Sequence, residues 1–474
     1  MLAQNVSRRN FMGQLGAMSL SAVACGRAKR SPNIIVIYID DMGYGDIGPF
    51  GSTQHRTPVL DQMAAEGMRF TSFYVTSGVC TQSRSSLMTG CYPRRVNMHK
   101  DSHEVRNQVL FPVAYKGLHP DEITIADLLK EQGYATACIG KWHLGDQPEF
   151  LPRAQGFDYY YGIPYSNDMG VSQKFRQNPP LPLVRNETVI EAPVEQNTLT
   201  KRYTEETVKF ITEHKEEPFF IYLPHSMVHN PLHASDAFRG KSANNIYGDA
   251  VEELDWSTGH ILDTLQQLGL DEQTLVIFTS DNGAAQKWGG TNLPLRGHKA
   301  STDEGGMREP CIMRWPGHIP AGQTCDEIAS TIDLLPTFAL LTGTTAPQDR
   351  IIDGKDIRPL MFGEAGAESP YEAFYYYKKD QLQAVRAGKW KLHLPLENWL
   401  ISVGSYETKP SAGALYDLDA DIGEAHDVMA EHPDVVARLT ALANKARADL
   451  GDWHVEGSGQ RPAGMVTNPK PLEM

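Results

Sequence analysis

Cysteine is scarce in this sequence. Its 474 residues include six cysteines, which are Cys25, Cys80, Cys91, Cys138, Cys311 and Cys325. No two of them form a Cys-x-x-Cys pair. A long chain with so few and such widely spaced cysteines indicates neither a disulfide framework nor a zinc site built from thiolates.

Basic residues are also in the minority, since 44 lysines and arginines face 58 aspartates and glutamates and the net charge is −14. Proteins that bind the nucleic-acid backbone are normally basic, so we expect no nucleic-acid partner. Internal repeats are absent as well, which excludes a solenoid. An anionic substrate stays compatible with this composition, because a bound cation or a few local basic side chains can reverse the potential of one pocket.

Long apolar runs are missing, and the run near the N-terminus is short. The pair Arg8-Arg9 precedes the mildly apolar stretch Met12–Ala24, which cannot span a bilayer stably. This pattern is typical of a signal for the twin-arginine export machinery and predicts a leader over residues 1–30. The alternative is a disordered basic leader. We expect a periplasmic or extracellular protein, either soluble or lipid-anchored at Cys25, which ends a lipoprotein-like cleavage box.

The strongest strand signal is NIIVIYI at Asn33–Ile39, an apolar run typical of a parallel sheet that is covered on both faces. Further strands are predicted over Ala135–Ile139, Phe219–Leu223 and Thr274–Ser280, each after a segment with helical periodicity. This alternation predicts an α/β domain over residues 31–363, with a large, mostly parallel sheet flanked by helices.

The character of the sequence changes after Gly363. Residues 371–395 are aromatic and alternating, with a turn at Ala387-Gly388, and GALYDLDAD adds another strand. The stretch EHPDVVARLTALANKARADLG is a final amphipathic helix. We therefore expect a C-terminal subdomain over residues 364–474, made of a small antiparallel sheet and one helix.

Polar side chains follow two of the predicted strands. Asp40 and Asp41 come after the first strand, and Asp281 and Asn282 follow Thr274–Ser280. Functional groups of α/β folds gather at the carboxyl ends of parallel strands, and oxygen ligands suit Ca²⁺ better than zinc. The alternative is a pair of solvated turns. The glycines of DDMGYGDIG match a dinucleotide fingerprint, but the two carboxylates would repel a pyrophosphate and no helix start follows.

Other candidates lie in three loops. Lys141 and His143 alternate in GKWHLG and offer a fixed positive charge and a proton carrier. HSMVHNPLH spaces its histidines by four residues, but its prolines argue against a helix, so we expect one pocket histidine, His229, rather than zinc. Lys299 lies in a glycine-rich loop. The alternative for each is an ordinary surface position.

The stretch SGVCTQSRSSLMTG contains Cys80. A helix that begins near Thr81 or Gln82 would place residue 80 at the positive helix end, with Arg84 one turn along. A thiolate at this position would have a lowered pKa, yet no signature of a cysteine hydrolase accompanies it. A disulfide, a thiol nucleophile, a modified residue and an inert buried cysteine are the alternatives.

Eight stretches follow one another between residue 33 and the C-terminal helix: IDDMGYGDIG, TPVLDQMAAEGMRFTSFYV, CTQSRSSLMTG, GKWHLG, GIPYSNDMG, TSDNG, HKASTDEGGMREP and VRAGKWKLHLP. In this order they resemble the type I sulfatases of the alkaline-phosphatase superfamily, in particular the arylsulfatase A-like group. The resemblance implies the fold of that superfamily and a sulfuric-ester hydrolase acting on carbohydrate or aryl sulfate monoesters.

The resemblance also implies that a formylglycine-generating enzyme oxidises Cys80 to Cα-formylglycine, whose hydrate is the nucleophile. One hydroxyl would attack sulfur while the substrate alcohol leaves, and the other would then expel sulfate and regenerate the aldehyde. Such covalent catalysis splits one hard displacement into two easier steps.

Individual roles follow from the resemblance, position by position. An oxygen of residue 80 would bind Ca²⁺ together with Asp40, Asp41, Asp281 and Asn282. Arg84 and His143 would hold the diol, with His143 as the base of the elimination step. Lys141 and Lys299 would neutralise the sulfuryl oxygens, with assistance from Ser166. His229 would protonate the leaving alcohol.

Gln82 departs from the family's modification signal, Cys-x-Pro/Ala-x-Arg, in which proline or alanine stands at its position. Two alternatives accompany the sulfatase hypothesis, and the departure at Gln82 bears on the second. One is a phosphonate or phosphodiester hydrolase of the same superfamily. The other is a non-catalytic protein that binds sulfated glycans while Cys80 stays a thiol.

Overall fold

A computed structural model describes residues 31–101, 108–170, 178–402 and 405–474. Its α-helices are α1 Pro58–Glu66, α2 Cys80–Thr89, α3 Ile125–Glu131, α4 Leu199–Glu213, α5 Asn245–Gln267, α6 Glu304–Met307, α7 Leu334–Leu341, α8 Arg358–Met361 and α9 Pro433–Leu450. The predicted leader over residues 1–30, with its proposed lipid attachment at Cys25, lies outside the described residues. Among the described helices, none combines the length and the apolar character needed to cross a bilayer.

A large mixed sheet forms the centre of the fold. Its strands are β1 Asn33–Ile39, β2 Met68–Tyr74, β4 Ala135–Ile139, β5 Tyr159–Gly162, β6 Leu183–Arg185, β7 Thr188–Glu191, β8 Phe219–Pro224, β9 Thr274–Ser280, β10 Arg308–Arg314, β11 Gln323–Cys325 and β12 Ala329–Ser330. The order across the sheet is β11-β2-β10-β9-β1-β8-β4-β5-β6-β7, and β12 also pairs with β2. The central run β9-β1-β8-β4-β5 is parallel, whereas β10 pairs antiparallel with both β9 and β2. The predicted α/β class is confirmed.

Both faces of this sheet are covered. Ile34, Val36 and Tyr38 of β1 belong to one apolar cluster, which includes residues of α2, α3 and α7. The intervening isoleucines of β1 belong to the opposite cluster, with residues of α1, α4 and α5. Successive side chains of a strand point to opposite faces, so a strand buried on both faces must be apolar throughout. This is why the uninterrupted run NIIVIYI predicts a central strand.

Smaller sheets complete the chain, with strands β3 Lys116–Gly117, β13 Phe374–Lys378, β14 Gln381–Ala387, β15 Trp390–His393, β16 Leu396–Leu400, β17 Thr408–Ser411, β18 Ala414–Asp417, β19 Gly451–Asp452, β20 Val455–Glu456 and β21 Gly464–Met465. An antiparallel sheet has the order β13-β14-β15-β18, with α9 packed on it. A separate hairpin joins β16 and β17. The predicted small C-terminal sheet and helix are confirmed, and the boundary at residue 363 stays a prediction.

A buried ion cluster around Glu304 connects the C-terminal sheet to the main sheet. The Glu304 carboxylate accepts hydrogen bonds from Lys391 Nζ of β15 at 2.9 Å and from Arg308 Nη1 of β10 at 3.2 Å. Tyr376 of β13 donates to it as well, at 2.9 Å. Burial alone would raise the pKa of Glu304, but the nearby Lys391, Arg386 and Arg308 outweigh burial and lower it.

Replacement of Glu304 by alanine should lower the free energy of unfolding by about 3–5 kcal/mol, because buried cations lose their counter-ion. The wild-type contribution should be complete above the unfolded carboxyl pKa of about 4.3 and decline as the pH falls further, since the folded pKa is lowered. Urea denaturation at several pH values measures both effects. Glu372→Ala is the matched control, because Glu372 is exposed and its ion-pair partner among the described residues is the exposed Lys445. Equal stability losses for the two variants would contradict the prediction.

Candidate active site

The carboxyl ends of the central strands converge on one pocket. Asp40 and Asp41 follow β1, Asp281 and Asn282 follow β9, and Lys141 follows β4 after one residue. Parallel strands end at the same edge of a sheet, so these groups meet although they are far apart in sequence. One possible ligand atom from each of Asp40, Asp41, Cys80 and Asp281 lies within 4.8 Å of all the others.

Cys80 is the first residue of α2, one position earlier than the sequence predicts, and its side chain is buried. Its Sγ lies 3.5 Å from Asp40 Oδ1 and 3.7 Å from Lys299 Nζ. Burial raises the pKa of this thiol, and Lys141 and Lys299 do not offset the effect. The thiol is therefore neutral, which contradicts the lowered pKa expected at a helix start and argues against a plain thiolate nucleophile. None of the five described cysteines forms a disulfide bond.

Arg84 holds two of the converging strand ends together. Its Nε and Nη2 donate to Asp281 Oδ2 at 3.0 and 2.7 Å, and its Nη1 donates to the Lys141 carbonyl at 2.8 Å. Nη2 also lies 3.7 Å from Asp40 Oδ1. The guanidinium is fully buried and does not line the pocket, so its part is to hold these strand ends in place.

Burial of the neighbouring carboxylates Asp40 and Asp281 disfavours their charged forms. Lys141 Nζ lies 2.5 Å from Asp40 Oδ2 and donates to Ser166 Oγ at 3.2 Å. Burial alone would raise the pKa of Asp40, but Lys141, His229 and Arg84 outweigh it and lower the pKa. Burial, together with the negative charge of Asp40, raises the pKa of Asp281 to about 7 even though Arg84 opposes this. An additional cation here would relieve that cost.

Asn282 supplies a further oxygen. Its Nδ2 donates to Asp41 Oδ1 at 2.8 Å, whereas its Oδ1 is buried and has no hydrogen-bond partner among the described residues. Lys299 Nζ lies 2.6 and 2.7 Å from the two oxygens of Asp41. An unpaired buried carboxamide oxygen beside three carboxylates is a donor set that fits a hard divalent cation such as Ca²⁺.

Two histidines present nitrogen lone pairs to this region. His143 Nε2 donates to the Leu110 carbonyl at 2.9 Å, so its buried Nδ1, which has no partner among the described residues, carries a lone pair. His229 Nδ1 contacts Asn167 Oδ1 at 2.9 Å and the Asn230 carbonyl at 2.5 Å, which makes it the protonated nitrogen. Its Nε2 is 3.8 Å from Asp41 Oδ2.

Both imidazoles are held in the neutral form. Burial and Lys141 lower the pKa of His143 well below its usual value, and burial and Lys299 lower that of His229. The other two histidines of HSMVHNPLH lie apart: His225 contacts Ser257, and His233 contacts Asn197. No helix forms between His225 and His233, as the prolines predict.

The pocket above these groups has a volume of about 580 Å³, and Cys80, His143, Ser166, His229 and Lys299 line it. Sequence reasoning missed its apolar walls, which are formed by Val79, Val109, Phe111, Met169, Ala285 and Trp288. These residues come from loops without periodicity, so no pattern in the sequence signals them.

Gln82 has a structural role that its place in the modification signal does not reveal. The side chain is buried, and its Nε2 donates to the carbonyls of His99 and Gln108, the latter at 3.4 Å. Its Oε1 accepts from Ser77 Oγ. Gln108 lines the pocket, so Gln82 ties the pocket wall to the helix that begins at Cys80.

Two family models match this chain. Residues 32–344 match the model described as Sulfatase, and residues 298–449 match N-sulphoglucosamine sulphohydrolase, C-terminal. The chain belongs to the sulfatase family. N-acetylgalactosamine-6-sulfatase of Rattus norvegicus is 41% identical over 391 residues, or 79% of this sulfatase and 74% of the relative. Arylsulfatase A of Homo sapiens is 38% identical over 446 residues, or 86% of each chain.

Solved structures agree with this assignment. The PsFucS1 sulfatase from Pseudoalteromonas sp. superposes with a TM-score of 0.78 at 28% identity, over 88% of this sulfatase and 90% of that chain. The phosphonate monoester hydrolase SpPMH from Silicibacter pomeroyi, at 15% identity and a TM-score of 0.63, shares the fold alone; it covers 88% and 95% of the two chains. The predicted family and enzyme class are confirmed: the protein hydrolyses sulfate esters.

Asn167 orients His229, so Asn167→Ala should lower kcat for an aryl sulfate about tenfold, within the range for partners that position a functional histidine. Steady-state kinetics measure this effect. Asn197→Ala is the matched control, because Asn197 Oδ1 contacts His233 Nδ1 at the same 2.9 Å but outside the pocket. A wild-type kcat for Asn167→Ala, or equal losses in both variants, would refute the positioning role.

Proposed function

We propose that this sulfatase is an exported enzyme that depends on Ca²⁺ and on formylglycine at residue 80 and cleaves sulfated carbohydrates or aryl sulfates. The observation that carries the proposal is the surrounding of Cys80, whose buried Sγ lies 3.5 Å from Asp40 Oδ1 and 3.7 Å from Lys299 Nζ, in one cluster with Asp41 and Asp281. These neighbours are poorly suited to an inert cysteine, because burial of so many charges is costly without a function.

Four side chains, Asp40, Asp41, Asp281 and Asn282, would hold Ca²⁺ through oxygen atoms. When bound, the ion supplies electrostatic stabilisation of the sulfate group and of the negative charge that develops on it. Arg84, Lys141 and Lys299 balance the three carboxylates, so a divalent ion leaves the pocket with a positive charge. This charge attracts an anionic sulfate ester to a protein that is acidic overall.

Formylglycine at residue 80 supplies, as its hydrate, two hydroxyls where the cysteine has one thiol. His143 Nδ1 is the group that accepts a proton from this residue, because its lone pair is free while Nε2 is occupied by Leu110. A neutral imidazole is required for that step, and burial keeps it neutral. Arg84 fixes the strand ends on which this geometry depends.

His229, Lys141 and Lys299 would act on the substrate. Both lysines can donate to sulfuryl oxygens, and Ser166 lies between Lys141 and His229. His229 Nε2 faces Asp41 and carries a lone pair in the neutral ring, so His229 would first take up a proton from solvent at this nitrogen and then pass it to the departing alcohol oxygen. Asn167 and the Asn230 carbonyl fix the ring so that Nε2 faces this way.

Export through the twin-arginine machinery is part of the proposal. It rests on Arg8-Arg9 and the short apolar stretch that follows, and it gives a periplasmic or extracellular enzyme, with Cys25 as the point of lipid attachment if the leader is processed there. A protein that folds before export would have residue 80 converted in the cytoplasm by a formylglycine-generating enzyme.

In protein purified from its native host, the tryptic peptide Phe70–Arg84 should have the mass of an aldehyde at residue 80. The peptide Glu131–Lys141 is the internal control, since its buried Cys138 lies outside the pocket and should remain a thiol. Mass spectrometry distinguishes the two forms. A uniformly thiol residue 80 would exclude the proposed chemistry and favour the non-catalytic glycan-binding alternative, to which the departure at Gln82 points.

Addition of Ca²⁺ to chelator-treated enzyme should raise the unfolding free energy by about 2.7 kcal/mol when the ion is present at 100 times its Kd. Asp281→Asn should abolish this stabilisation, because the variant lacks one of the charged ligands. Thermal unfolding provides the measurement without any assay of activity. Asp434→Asn, an exposed position on α9, is the control that should respond like the wild type. Stabilisation of Asp281→Asn equal to that of wild type would contradict the assigned ligand set.

A further inference from the structure

A second cavity lies beside the catalytic pocket and has a volume of about 610 Å³. The loop His298–Ala300 lines both cavities, so the two cavities are neighbours. The far wall comes from the C-terminal sheets, through Lys378, His393, Trp399 and Lys409. We infer that this cavity binds an anionic sugar unit adjacent to the one whose sulfate is cleaved, a role that rests on the proposed action on sulfated carbohydrates.

The charge of the cavity is opposite to that of the chain. Three lysines and one arginine line it, with Asp303 as the one acidic lining residue, although the whole protein has a net charge of −14. Arg296 pairs with Asp303 at 3.0 Å, and Lys299 pairs with Asp41. Among the described residues, no carboxylate lies within ion-pair distance of Lys378 or Lys409. Two cations thus remain for an anionic ligand.

Lys378 is placed to bind an anionic ligand, since its hydrogen-bond partners are backbone carbonyls and not a carboxylate. Its Nζ donates to the carbonyls of Ala300 at 2.8 Å and Ile401 at 2.9 Å, which leaves the third ammonium hydrogen for a ligand. Both partners are uncharged, so neither neutralises the ammonium, although burial and the neighbouring Lys379 lower the pKa of Lys378 to about 8. Lys409 is exposed at the rim, on strand β17 of the hairpin.

Trp399 adds a surface that suits a sugar ring. It is half-buried in the wall, and its ring stacks on His393 with centroids 5.5 Å apart and an interplanar angle of 27°. This stacking fixes the indole, and the negative face of an aromatic ring attracts the partly positive C–H groups of a sugar. A fixed aromatic face next to unpaired cations matches an anionic saccharide better than inorganic sulfate, which needs no apolar contact.

A metal ion is a weaker explanation for this cavity. Asp303, His393 and Glu424 do lie within ligand distance of one another. However, Glu424 already pairs with Lys391 at 2.9 Å and with His393 at 2.9 Å, and Asp303 pairs with Arg296. A cluster whose carboxylates are already neutralised by cations has little charge left for a metal, so it forms part of the wall.

Trp399→Ala and Lys409→Gln should each raise KM about fivefold to tenfold for a sulfated oligosaccharide, an effect typical of removing one important contact. The values of kcat and KM for 4-nitrophenyl sulfate should stay within about twofold of wild type, since this small ester fills only the catalytic pocket. The oligosaccharide to be used is the one that the wild type hydrolyses best in a screen of size-defined fragments of chondroitin sulfate, carrageenan and fucoidan. Trp399→Phe keeps an aromatic face and should restore most of the affinity.

Lys445→Gln removes an exposed lysine far from the cavity and is the matched control for charge. An unchanged KM for the oligosaccharide in both cavity variants would overturn the inference, as would an equal loss on both substrates. So would a wild type that hydrolyses 4-nitrophenyl sulfate but none of the fragments. A wild type with residue 80 as thiol that hydrolyses neither substrate would instead refute the proposed function, so the two failures are distinguishable.

Discussion

The balance between three buried carboxylates and three cations, of which Arg84 and Lys141 are buried and Lys299 is partly exposed, is the constraint on which the site depends. Asp40, Asp41 and Asp281 end neighbouring strands, and their charges could not stay buried without partners. Each partner comes from a different element: Arg84 from α2, with Lys141 after β4 and a lysine from the loop before α6. Formation of the charge cluster therefore requires the whole central fold.

Sequence reasoning succeeded where the physical cause is local. The limits of β1, β4 and β9 follow from uninterrupted apolar runs, and the acidic residues after them are visible in the sequence. It failed for β2, Met68–Tyr74, whose polar positions interrupt the run because its neighbours β10, β11 and β12 leave it near the sheet edge. The family resemblance supplied the roles of the site residues, but their hydrogen-bond partners depend on contacts between distant segments.

Cys80 shows why position in a helix does not by itself fix chemistry. The start of α2 favours an anion. Burial and the nearby carboxylates Asp40 and Asp281 nevertheless raise the pKa of the thiol, and Lys141 and Lys299 do not offset them. The role of Gln82, too, cannot be inferred from its position in the sequence alone. Its side chain is unexpected in a modification signal, yet in the fold it donates to two backbone carbonyls, one of which belongs to the pocket-lining Gln108.

The C-terminal sheet contacts the loop that carries Lys299, although none of its described residues lines the pocket. Ala300 has a positive φ of 68°, a conformation that costs a residue other than glycine about 1 kcal/mol. Its N–H donates to the Gly78 carbonyl at 2.8 Å, and its carbonyl accepts from Lys378 of β13. These two hydrogen bonds offset the strain and fix Lys299, the preceding residue, against Asp41. Lys378 of the C-terminal sheet thus helps to set the position of Lys299, which the proposed function assigns to the substrate, and both lysines line the second cavity.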